Sequence, residues 1–563
     1  MNTSTILYKL KKLSLFLMIL LPLFYVFYAV AIEIRPYPVY ETDPEPDYFY
    51  NSYLLIKGEK IFSTHHPGIP GMYILSIIMR LFGDVIVHTQ SILNTSYFLI
   101  ALLSTTVIFA FYHITLKKYP FWIKAISLLA LISWPSFFTY LNYYSSDSFM
   151  IIFVLPFLML IWHALEDNQK LNVKNGFLLG ILSSLSLLNK ITFLPLLVVA
   201  GLVLGIFLCR MPVNIKLKFK FAAVYIISFL LTTVIVAFSI FPNLIRSVLN
   251  LLHHKGASLN LEGFIDIAKF SLFKYPTLLI VVAFLMIILV KGLFQKDLDV
   301  TTNFSNQSKK MFLMAGFLFF IYTFFITYGY NHVFDSGIPF RNVMPFNFIL
   351  PFCVLFFYDS IGRTIHSSKI KILFVFIFFS FFVNSLSENI KSRNLLLHKS
   401  SQLTNKITSY IEGLDYAFWD GSGRSIFNHP ATFHYWGSYT YGRKYFNSKI
   451  TEVFPTVSLF NLRDVVQILM PKNKPESKLR NLLNHIRRLW GIPVTPPKLS
   501  PFSKDDIENL NFLFISEREL KNERRKSNIN LNDLQEYLGN LKPINATKKV
   551  VIDTEFFILF IFN

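Results

Sequence analysis

Apolar residues run through the first two thirds of this chain in blocks of roughly 20, broken by short polar or basic stretches. A hydrocarbon core of about 30 Å takes about 20 apolar residues as helix, so the pattern predicts membrane-crossing helices. The blocks are Leu13 to Ile32, Val85 to Thr115, Phe121 to Leu141, Ser148 to Leu165, Val173 to Leu188, Ile191 to Leu208, Phe221 to Phe241, Tyr275 to Val290, Met311 to Tyr328, Arg341 to Tyr358 and Ile370 to Asn384. That makes about 11 spans. The first follows Lys9, Lys11 and Lys12 but ends in Glu33-Ile34-Arg35, which offers no small-residue cleavage site, so it reads as an anchor. Val173 to Leu208 is one long span or a hairpin turning at Asn189-Lys190. Read as a hairpin, the loops on one side of the membrane carry 19 Lys and Arg before Asn384 and those on the other side carry 10. The positive-inside rule favours that reading, with the N-terminus cytoplasmic.

The pattern changes after Asn384. Residues 385–563 have soluble composition, with turn pairs such as Asp420-Gly421 and a Pro-rich stretch from Ile492 to Pro501. Phe512 to Ile515, Val550 to Ile552 and Phe556 to Phe562 read as strands; Ser477 to Leu489 and Leu531 to Leu538 read as helices. The expected organisation is a membrane domain over 1–384, with a first outer loop at 33–84, followed by an extracytoplasmic α/β domain over 385–563. Pro242 to Lys274 reads as an outer interfacial region.

Composition agrees. Of 563 residues, 53% are hydrophobic, 15% are charged and 61 are Phe, which excludes a soluble enzyme and a disordered chain. The net charge of +21 reads as cytoplasmic loop charge, not as a nucleic-acid surface. The two cysteines, Cys209 and Cys353, lie in apolar runs and make no disulfide framework or Cys-based zinc site.

Candidate chemistry lies in the outer loops. Asp43-Pro44-Glu45-Pro46-Asp47 alternates carboxylates with prolines. Prolines favour extended backbone, which would send Asp43, Glu45 and Asp47 to one side, a pattern suited to proton abstraction or cation binding. His65-His66 precedes a Pro/Gly turn and an amphipathic stretch from Ile74 to Phe82; either histidine could meet a phosphate, orient a substrate or serve the loop structure. Lys190 is read at the tip of the hairpin, near the level of lipid phosphates, as a snorkelling anchor or a phosphate ligand. Arg341 opens a late span as headgroup anchor or second phosphate ligand. Asp147 reads as a helix cap at the start of a span, with a functional role as the alternative.

Taken in order, these features resemble the GT-C superfamily of membrane glycosyltransferases that use polyprenyl-phosphate-linked sugars, especially bacterial aminoarabinose transferases and protein O-mannosyltransferases. The resemblance rests on Asp43 after the first helix, the aromatics Tyr48, Phe49, Tyr50 and Tyr53, then Gly58, His66-Pro67 and Tyr73 to Gly83. It continues in the Gly-rich stretch Gly176 to Lys190 and in Pro339-Phe340-Arg341-Asn342-Val343-Met344-Pro345, and it covers residues 1 to about 384. Two positions depart from the family: Pro44 separates acidic residues that are usually adjacent, and His66 stands where some relatives have a lysine.

The resemblance implies an inverting transfer of a sugar from a polyprenyl-phosphate donor to a glycan, lipid or protein acceptor on the extracytoplasmic face of the plasma membrane. Asp43 would be the base. Glu45, Asp47, His65, His66, Lys190 and Arg341 would line the substrate site. No cofactor is required, although Asp43, Glu45 and His65 leave a divalent cation open. A lipid-linked glycan transporter or flippase is the alternative. It would be expected to show internal repeats, broken helices and buried ion pairs, none of which is legible in the sequence.

Overall fold

In the computed structural model, the described residues are 45–58, 68–132, 144–166, 172–190, 193–210, 214–237, 348–360, 366–411, 416–418, 457–459, 512–516, 531–552 and 555–562, with several of residues 5–23. The spans expected at Leu13 to Ile32, Tyr275 to Val290 and Met311 to Tyr328, the region Pro242 to Lys274 and the helix Ser477 to Leu489 lie wholly or mostly outside them.

Helix α1 spans Glu45–Ile56, α2 Ile69–Phe82 and α3 Thr89–Ala110, which runs into a π-helical turn at Phe111–Thr115. Next come α4 Phe121–Ile132, α5 Met150–Glu166, α6 Val173–Asn189, α7 Leu194–Arg210 and α8 Ile215–Ala237. Later in the chain are α9 Leu350–Ser360 and α10 Ser368–Ile411. Three described helices are long and apolar enough to cross a membrane: Thr89–Thr115, Ile215–Ala237 and Ser368–Ser387. On α8 the side chains of Ile227, Leu231, Val234 and Ile235 are exposed. Such a surface is costly in water and at home in hydrocarbon.

Three elements differ in detail from the pattern reading. The stretch from Glu45 is helical, not extended, so Glu45 and Asp47 stand in the first turn of α1. Proline is tolerated there because the first-turn N–H groups have no helical partner, and acidic side chains favour the positive end of the dipole. Helix α3 begins at Thr89 rather than Val85, because the Asp84 carboxylate accepts from the N–H groups of Ile86 and Val87 and holds a turn. Helix α10 continues to Ile411, far past its apolar segment, since residues 368–411 contain neither Gly nor Pro. The hairpin is present: α6 ends at Asn189, Lys190 is extended (φ −151°, ψ 119°), and α7 starts at Leu194 with Pro195 in its first turn.

The glycines of α6 set its contact with α8. A Cβ on Gly180 would strike Ser228 Oγ and the Tyr225 carbonyl and lie 2.9 Å from Phe229 N, and one on Gly176 would meet the Phe221 carbonyl at 3.0 Å. The backbones therefore approach closely, as small residues allow between membrane helices. Ser184 and Thr233 hydroxyls share a hydrogen bond at 2.9 Å, and Tyr225 Oη donates to Ser183 Oγ at 3.3 Å. Gly180→Ala should therefore lower the melting temperature in detergent, at an overpacking cost of about 1–3 kcal/mol. Gly201→Ala on α7, where a Cβ meets nothing within 4 Å, should not. Equal melting of the two variants would contradict this packing.

The chain divides into two compact units: Met1–Tyr28 with Ser63–Ile74 and Asn94–Ile390, and Ala29–Phe62 with Leu75–Leu93 and Lys391–Asn563. Pieces of the first outer loop thus fall in both. In the second unit, α1 buries Tyr48, Phe49, Tyr50 and Leu54, and burial pushes the Tyr50 phenol well above its ordinary value, so it stays neutral. This unit also holds a five-stranded mixed sheet. Its strands are β1 Tyr416–Phe418, β2 Val457–Leu459, β3 Phe512–Ser516, β4 Ile544–Ile552 and β5 Glu555–Phe562, in the order β2-β1-β3-β5-β4. β1 is parallel to β2 and β3, and β5 is antiparallel to β3 and β4. Ile558 and Phe560 alternate inward along β5. Helix α11, Leu531–Leu541, buries Leu534 and Leu538 one turn apart, and Gln535 Nε2 donates to Thr547 Oγ1 on β4 at 3.0 Å.

Candidate functional site

The densest polar cluster among the described residues forms where three separate segments meet, all within the first unit. They are residues 68–72 at the start of α2, 144–150 leading into α5, and 186–193 at the turn between α6 and α7. Asn189 binds two of them. Its carbonyl accepts from Gly68 N–H at 3.0 Å, and its side-chain amide donates to the Ser146 carbonyl at 2.6 Å. Tyr144 Oη donates to the Gly71 carbonyl. The Phe149 ring lies against Gly71, where a Cβ would come within 3.0 Å of it, and Phe157 packs edge-on to Phe193 at 5.3 Å.

At the centre Lys190 Nζ pairs with Asp147 Oδ1. Both side chains are buried, at 1% and 0% exposure. Lys190 is therefore not a snorkelling anchor: it points into the protein, where a carboxylate compensates its charge. Asp147 lies in the turn before α5, not at its cap as expected, and its carbonyl accepts from Met150 N–H at 3.1 Å. Its carboxylate, though, faces Lys190. The preceding turn is stabilised by Ser145 and Ser148. Ser148 Oγ donates to the Ser145 carbonyl at 2.7 Å, and Ser145 Oγ accepts from Asp147 N–H at 3.2 Å. These short side chains fix the backbone that aims Asp147.

Around this pair Asn189 Oδ1, Ser146 Oγ and Ser186 Oγ are buried and find no hydrogen-bond partner among the described residues. A buried polar atom without a partner costs about 1–3 kcal/mol. An ammonium has three N–H donors, so pairing with one carboxylate leaves Lys190 able to donate elsewhere.

The other sequence candidates are placed as follows. Asp43, His65, His66 and Arg341 lie outside the described residues. Glu45 and Asp47 begin α1, and the structure describes their backbone but not their side chains. The turn after His65-His66 reaches the cluster through Gly68, whose φ of +50° suits glycine. Asp147 is an ion-pair partner and not a helix cap. The signal that could have shown it is charge bookkeeping: an aspartate and a lysine in the apolar part of one chain need partners, and each is the other's. Among the described residues no group of three His, Cys, Asp or Glu could hold a metal.

No protein-family model and no curated protein matches the chain. Among solved structures the chain is similar to the crystal structure of ArnT from Cupriavidus metallidurans bound to undecaprenyl phosphate, at 11% identity, with 97% of each chain covered and a TM-score of 0.41.

Proposed function

We propose that this chain is a polytopic membrane glycosyltransferase that moves a sugar from a polyprenyl-phosphate donor to an acceptor hydroxyl on the extracytoplasmic face. The observation that carries this reading is the buried Lys190–Asp147 pair, with three polar atoms that find no partner among the described residues, next to the turn that follows His65-His66. A donor phosphate gains charge as the glycosidic bond breaks. A preorganised ammonium in a low-dielectric setting stabilises that charge without reorganisation. Asp147 pairs with Lys190 and aims it. His66 and Arg341 supply further positive groups to the phosphate; Glu45, Asp47 and His65 orient the acceptor. Asp43 takes the acceptor proton as its oxygen attacks the anomeric carbon, and the configuration inverts. A divalent cation at Asp43, Glu45 and His65 is not needed for this step.

The buried ion pair is also a feature of transporters and flippases. The two readings separate in detergent, where transport has no meaning. Purified protein given a polyprenyl-phosphate donor with a labelled sugar and a cell-envelope extract should form a labelled product that no longer carries the polyprenyl phosphate. If the label stays on the lipid while the same protein moves donor across vesicle membranes, the transporter reading holds instead.

Orientation is testable separately. A reporter fused at Asn214 should score cytoplasmic and one at Ser422 extracytoplasmic. A cytoplasmic signal at Ser422 would contradict the charge-derived topology and move the soluble domain to the wrong side for this chemistry.

A further inference from the structure

A cavity of about 380 Å³ lies within the first unit between α4, the start of α10 and residues Leu13 and Ser14. We propose that it binds one anionic phospholipid of the bilayer, with an acyl chain along the helices and the headgroup against Lys371. The α10 side is a single stripe at helical spacing, Lys371, Ile372, Val375, Phe376, Phe379 and Phe382. Polar groups stand at one end only, where Ser14, Ser368 and Lys371 meet the first turn of α4. The far end, at Ile132 and Phe382, is wholly apolar.

The dimensions fit one leaflet. Lys371 to Phe382 is 11 residues of helix, about 17 Å at 1.5 Å per residue, and half a hydrocarbon core is about 15 Å. Phe376 is 64% exposed at the open side, so the groove has an apolar wall that protein leaves uncovered.

Charge selects the headgroup. Among the described residues that line the cavity, Lys371 is the charged one, and it stands with Ser14 and Ser368. An anionic headgroup there pairs with Lys371, and lysines at a membrane surface favour anionic over zwitterionic lipid. By the charge-derived topology this end faces the cytoplasm, whereas the proposed donor phosphate lies on the outer side, so the lipid is not the substrate.

The test is melting of the purified full chain in neutral detergent, with equal mole fractions of phosphatidylglycerol or phosphatidylcholine. Phosphatidylglycerol should raise the melting temperature by several degrees more than phosphatidylcholine. Lys371→Gln should melt normally without lipid and lose most of that difference, while Lys216→Gln, an exposed lysine on α8, should keep it. Val375→Trp, which fills the groove from its half-exposed side, should blunt the response to both lipids. Equal responses in the wild-type chain, a difference that survives Lys371→Gln, or an equal loss in Lys216→Gln would overturn the proposal. Sugar transfer is not read here, so failure leaves the donor site untouched.

Discussion

Asp43→Asn should lower sugar transfer by about 10²–10⁴-fold, the usual contribution of a positioned general base, with normal yield and unchanged donor binding. The amide keeps the shape of the carboxylate and removes its ability to accept a proton. Asp43 stands two residues before the start of α1 and about 10 residues after the expected end of the first span at Ile32. Glu45 and Asp47 stand inside the first turn, where a carboxylate stabilises the helix by about 0.3–1 kcal/mol. Glu45→Gln and Asp47→Asn should therefore cost a little stability and a modest part of the rate. Initial rates from a labelled lipid donor, on preparations matched by melting temperature, decide the matter. Full activity in Asp43→Asn with loss in Asp47→Asn would move the base along the loop; activity in all three would remove the mechanism.

The second large effect is in the buried pair. Lys190→Met or Asp147→Asn alone leaves an uncompensated buried charge, which costs about 3–5 kcal/mol. Each single variant should melt far below the wild-type chain. The double variant Lys190→Met with Asp147→Asn should regain much of that stability, because no charge is left alone. It should remain inactive, because the buried ammonium that stabilises the leaving phosphate is gone. Melting and transfer measured on the same three proteins separate fold from function. A stable double variant that transfers sugar at the wild-type rate would make the pair purely structural, and normal melting of both singles would contradict its burial.

The described apolar helices, the hairpin and the strands β3 and β5 were legible because each follows from local periodicity or from charge summed over loops, whereas the three-residue strands β1 and β2 carry no such pattern. Val173 to Leu208 splits as the positive-inside count requires, and Phe556 to Phe562, too short to span, is the inward-facing strand β5. The site was only half legible. Lys190 stood out as an ion among apolar residues, but its partner lies 43 residues away, and no pattern within a helix or loop reports such a pairing. The prolines at 44 and 46 misled for a local reason: they favour extended chain in general, yet a helix accepts proline in its first turn. Gly180 could be seen as part of a Gly-rich helix, but its purpose, the close approach of α8, becomes visible only once the two helices are set together.

The central claim is that a donor phosphate sits at the Lys190–Asp147 cluster. A polyprenyl phosphate carrying a photoreactive group beside its phosphate tests it most directly. In the wild-type chain, label should fall on residues 144–150 or 186–193, and unlabelled polyprenyl phosphate should compete it away. The folded double variant Lys190→Met with Asp147→Asn should take up little. Label confined to other segments, or equal labelling of the folded double variant, would contradict the account.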